Sequence, residues 1–111
     1  MSKSVYLLYE CDSWHSDESL NHNNLLGVAS DIPHLHHMII ERLRIGWRNE
    51  IRSLIESGEI ESEKKFAEQV LDDFVQNRNQ TQGLSVYLGV EFHAEEVDLD
   101  YPDLLHLIEP I

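Results

Sequence analysis

The segment from Ser4 to Cys11 constrains this chain most, because it is apolar on both sides of an extended backbone. Val5, Leu7, Tyr9 and Cys11 fall on one face and Tyr6, Leu8 and Glu10 on the other. A strand with two apolar faces belongs inside a sheet, so the spacing predicts an interior strand. Asp12 to Asn24 (DSWHSDESLNHNN) is rich in Asn, Ser and Asp and reads as a long connection or hairpin tip that carries Trp14. Asn24 to Ser30 (NLLGVAS) predicts a second strand, antiparallel to the first because the two are close in sequence.

Ser30-Asp31-Ile32-Pro33 is a helix-start signal. Ser or Asp accepts a bond from a free amide of the first turn, and Pro33 loses no donor there. The following helix places Leu35, Met38, Ile39 and Leu43 on one face. Gly46 interrupts the stripe, which predicts either a kink or a second helical piece beginning there, and Ser57-Gly58 is the expected stop. Glu61 to Asn77 predicts another helix, with Phe66, Ala67, Val70, Leu71, Phe74 and Val75 along its stripe.

After the polar connection Asn77 to Gly83, the residues Leu84, Val86, Leu88, Val90 and Phe92 alternate without a miss, the strongest strand signal in the chain. The alternation then changes phase to Val97, Leu99 and Tyr101. One continuous buried face therefore requires a bulge near Ala94-Glu95 or a bend into a separate strand. The tail Asp103 to Ile111 reads as a short helical turn that closes the core. The expected fold is a single α+β domain over residues 1–111, in the order β-β-α-α-β. An antiparallel-dominated sheet of three or four strands carries two or three helices on one face.

The segments VYLLYECD, LLGVASD leading into a helix, and EEVDLD resemble small α+β domains of bacteria and their phages. Those read "VY-L-Y-E-x-D … L-L-G-V-x-S … helix … strand". The resemblance covers about residues 5–45 and 86–100 and departs from that pattern in the helical material of roughly Trp47 to Arg78. It implies a fold and a phage-associated setting, and it implies no activity.

Charge narrows the functional classes. Twenty-one acidic residues against eight basic ones give a formal −13, which disfavours direct nucleic-acid binding and anionic lipid surfaces. The single cysteine, Cys11, excludes an internal disulfide, and the chain shows neither a signal-like leader nor a membrane span, so a cytoplasmic location is expected. The charge is unevenly spread. Arg42, Arg44, Arg48 and Arg52 with Glu50 leave residues 42–52 locally positive, whereas residues 79–111 hold seven acids and no Lys or Arg.

Three groups of side chains are candidates for function. On an extended strand, Glu96, Asp98 and Asp100 share a face at intervals of about 7 Å. With Glu91, Asp103 and the loop aromatic Trp14 they form an acidic surface suited to a protein partner with a basic surface. Arg44, Arg48 and Arg52 stand at i, i+4, i+8 and form a row for an anion or a protein carboxylate, unless they pair with Glu41, Glu56 or the acidic strand. His34 and His37, with Asp31, are the metal candidates, but no H-E-x-x-H spacing supports them and no cofactor is called for. No nucleophile elbow or phosphate loop is present, so the expected class is a non-enzymatic protein-binding or regulatory module. A phage-type inhibitor is one form of it. The alternatives are a metal- or small-ligand-binding protein at His34/His37 and a structural homodimer formed through a strand edge or the tail.

Overall fold

The computed structural model describes residues 4–12 and 23–98. Strands β1 (Ser4–Asp12), β2 (Asn23–Ala29) and β3 (Val90–Asp98) form an antiparallel sheet in the order β2-β1-β3, so the two-faced apolar strand is the central one. Between β2 and β3 run α1 (Ile32–Glu41), a five-residue π-helical turn (Arg42–Gly46), α2 (Arg48–Glu56), α3 (Glu63–Gln76) and the short α4 (Ser85–Leu88). This is the expected α+β arrangement.

Alternation and register decide which sheet residues meet the helices. Tyr6 pairs with Ala29, Leu8 with Ala94 and Glu10 with Phe92, so these side chains share one face. Leu8, Ala29 and Phe92 are fully buried there against Leu35 and Ile39 of α1 and Phe66, Val70 and Phe74 of α3. The opposite face carries Val5, Leu7 and Tyr9 of β1 beside Val28 and Leu25 of β2.

The helix ends follow their local chemistry. Asp31 takes the N-cap in extended conformation and its carboxylate accepts the His34 amide at 2.8 Å. Ser62 does the same for α3, accepting from Lys65 N at 3.1 Å. The break at Gly46 is resolved as a second helical piece, reached through the π turn. A Cβ on Gly46 would come within 2.8 Å of the Arg42 guanidinium carbon, so the glycine makes room for a folded-back arginine. Gly58, at φ 82, ends α2.

Two expectations about the last strand are corrected. Residues Leu84 to Leu88 form a helical turn, and β3 begins only at Val90. Leu84 and Leu88 are buried, but four residues apart they satisfy helical spacing as well as alternation. Val86, which alternation would bury, is 81% exposed. Gly89 then takes the left-handed conformation and donates to Ser85 O at 3.0 Å, which ends the turn. No bulge occurs at Ala94-Glu95 either, since β3 pairs with β1 in unbroken register from Val90 to Asp98. The apparent phase change arises because the helix-facing side continues from Phe92 and Ala94 into Glu96 and Asp98, past the helical cover. The sheet's bulge is in β2, where the register shifts between Leu8 and Tyr9 and leaves Leu26 as the extra residue.

Candidate functional site

The candidate acids do not share one environment. Glu91 is occupied internally: its carboxylate accepts from Thr81 Oγ1 and from the amides of Leu84 and Ser85 at 3.2 and 3.1 Å, satisfying the free donors that open α4. Glu95, Glu96 and Asp98 are exposed at the far end of β3. Glu96 and Asp98 lie on the same face, as the strand spacing predicts, while Glu95 lies on the other beside Leu7. Among the described residues, the outer edge of β3 is bridged along its first half, where Thr81 N donates to Phe92 O and Ala94 N to Asn79 O. Asp100, Asp103 and Trp14 lie outside the described residues.

A carboxylate that sequence reasoning did not single out is the most completely held. Glu10, 7% exposed, points into the helical side of the sheet. Arg42 donates to it through Nε at 2.9 Å and Nη2 at 2.8 Å, and Trp47 donates through Nε1 at 2.9 Å. The π turn explains how both reach it, because an i→i+5 pattern stacks residues five apart. The Arg42 guanidinium accordingly lies 5.8 Å from the Trp47 ring centre. One signal for this cluster was present in the sequence: an acid on an otherwise apolar strand face needs a cation.

The row Arg44, Arg48 and Arg52 divides. Arg44 pairs with Glu41 at 3.2 Å along the exposed surface. Arg48 and Arg52 are exposed and make no ion pair with any described residue.

The histidine candidates are arranged for helix capping. Asp31 is the N-cap, and His34 Nδ1 accepts the Ser30 amide at 3.2 Å. His37 is exposed on the same helix. Among the described residues, no three His, Cys, Asp or Glu side chains converge in a way that could hold a metal ion.

A second unforeseen pair lies on the sheet face opposite the helices, where Cys11 Sγ and His93 Nδ1 are 3.0 Å apart and the Tyr9 ring stacks on the imidazole at 5.0 Å. Partial burial pushes the Cys11 thiol up from its ordinary value, reinforced by Glu10 and Glu91. Burial pushes His93 down, opposed by Glu95. Both directions favour the neutral thiol and neutral imidazole over a thiolate–imidazolium pair. Eighty-two residues separate the two, so only the β1–β3 register brings them together.

No known protein family, curated protein or solved structure matches the chain. No helix among the described residues is long and apolar enough to cross a membrane.

Proposed function

We propose that the protein is a non-enzymatic protein-binding module that presents the Glu95–Asp98 end of β3 to a partner with a basic surface. The observation that carries this reading is the exposure of Glu95, Glu96 and Asp98 together at a strand end, while Glu10 and Glu91 of the same sheet are held internally. Alternation turns Glu95 to one side and Glu96 and Asp98 to the other, so a partner gripping the strand end meets carboxylates from both. Leu25 and Val28, 51% and 50% exposed, lie on the Glu95 side and add apolar area to the same approach. A net charge of −13 steers basic partners toward the molecule and repels nucleic acid. In this reading the module works in the cytoplasm, and inhibition of a phage-associated enzyme is one form it takes.

The test is affinity capture from a lysate of the source cells with wild-type protein and with the double variant Glu95→Lys/Glu96→Lys. The expected result is a basic protein, identified by mass spectrometry, that is retained by the wild type, released by 0.5 M salt and reduced at least tenfold on the variant. Recovery of the same proteins in equal amounts on both would overturn the reading.

One further observation favours self-association as a second reading. β2 carries no charged residue, and no described residue pairs with its outer edge, so two copies could join their sheets there without opposing their acidic surfaces. A mass that stays dimeric on dilution in light scattering, and becomes monomeric in Val28→Lys, supports it. A strict monomer in the wild type eliminates it.

A further inference from the structure

A second surface, on the helical layer, has a different chemistry from the strand end. Where α1 and the π turn face the first half of α3, a groove of about 480 Å³ opens over an apolar floor that includes Leu43, Ile51, Phe66 and Leu71. That volume lies within the range of small-molecule sites. The groove continues into two smaller recesses, one bordered by Arg48, Arg52 and Ile55 and the other by Arg44, Ile45 and Arg48. Ile45, on the π turn, is 74% exposed at this border, an apolar side chain held in water.

The rim is unusual for so acidic a chain. Half of its eight basic residues, Arg44, Arg48, Arg52 and Lys64, stand around the groove, with Glu56, Glu63 and Glu68 on the same rim. The four cations and three acids leave the rim slightly positive on a molecule of net charge −13. Arg44 is engaged by Glu41, whereas Arg48, Arg52 and Lys64 have no ion pair with any described residue. Arg48 and Arg52 are four residues apart on α2 and therefore share a face. Two adjacent guanidinium groups beside an apolar trough match a carboxylate head with an apolar tail, because guanidinium donates two parallel bonds to a carboxylate.

We propose that this groove binds a single-chain anionic amphiphile of the fatty-acid class. Its tail lies along Leu43, Ile51 and Phe66, and its carboxylate is held by Arg48 and Arg52. The inference rests on the groove and its cations alone and is independent of any docking at the β3 end.

The test compares dodecanoate with dodecyltrimethylammonium by calorimetric titration at low ionic strength, below micelle-forming concentrations. The ammonium compound's tail is one methylene longer, and the protein's overall charge also favours the cation, so a preference for the anion can come only from local cations. The expected result is dodecanoate binding at least tenfold tighter than the ammonium compound, with acetate showing none. In Arg48→Gln/Arg52→Gln, whose exposed side chains leave the fold's melting temperature unchanged, dodecanoate affinity falls at least tenfold. Equal or tighter binding of the cation, no binding of dodecanoate, or an undiminished affinity in the double variant would each overturn the proposal. Ala67→Trp, which fills the groove, is expected to abolish dodecanoate binding, and retention of binding in that variant would also count against it.

Discussion

At one end of the sheet, where Cys11 pairs with Glu91, the carboxylates of Glu10 and Glu91 each accept three hydrogen bonds from within the molecule. At the other end, where Ser4 pairs with Asp98, Glu95 and Glu96 are exposed and form no ion pair with any described residue. The residue type is the same, and Glu10 and Glu96 even lie on the same face of neighbouring strands. The difference is cover. The π turn brings Arg42 and Trp47 over Glu10, and the turn into α4 brings its amides over Glu91, whereas no such group among the described residues reaches Glu96. Burial obliges Glu10 to be satisfied, because an unpaired buried carboxylate costs several kcal/mol, while the half-buried Glu91 is held by the amides it caps. Exposure leaves the second pair available to a partner.

The largest effect should come from opening the covered end. Arg42→Ala leaves Glu10 buried with only Trp47 as donor and is expected to lower the unfolding free energy by about 3–5 kcal/mol, read from urea denaturation. A change below about 1 kcal/mol would mean that Glu10 is solvated in spite of its position. Next in size is Glu91→Ala, which strips the Leu84 and Ser85 amides of their acceptor. A loss of about 1–3 kcal/mol is expected, with faster hydrogen exchange at those two amides.

The pH dependence tests the Cys11–His93 pair at the same end. His93 is depressed below 6.5 in the fold, so below pH 6.5 the unfolded chain binds the proton more readily, and stability falls as pH drops through that window. Cys11 is raised above 9.0, so the unfolded chain ionises first and stability falls again as pH rises past 9.0. Melting temperature measured against pH should show both limbs, and His93→Asn should flatten the acidic one just below pH 6.5. The smallest effect belongs to the open end: Glu95→Gln/Glu96→Gln should change stability by less than about 0.5 kcal/mol in urea. A larger loss would show that these carboxylates support the fold after all.

Much of this architecture is legible in the sequence because it depends on local chemistry. Two-sided apolarity marked β1 as interior, Asp31 and Pro33 marked the start of α1, Gly46 marked the helical break and Gly58 the end of α2. The segment Leu84–Leu88 misled because buried residues four apart satisfy a strand and a helix alike, and only the exposure of Val86 separates the two. The shift of Glu96 past the helical cover looked like a bulge because the pattern alone does not say where a buried face ends. Glu10 with Arg42, and Cys11 with His93, depend on pairings 32 and 82 residues apart, which no local window contains. The arginines illustrate the same limit from the other side: their spacing was plain, but which one turns inward to Glu10 and which stand exposed depended on a π turn.

The claim that the uncovered acidic end is the working surface is tested most directly by hydrogen-exchange mass spectrometry of the protein alone and saturated with the basic protein it captures. The account predicts new protection at the β3 amides from His93 to Asp98, lost in Glu95→Lys/Glu96→Lys, with exchange in residues 44–52 unchanged. Protection confined to the helical layer, with β3 exchanging as in the free protein, would contradict it.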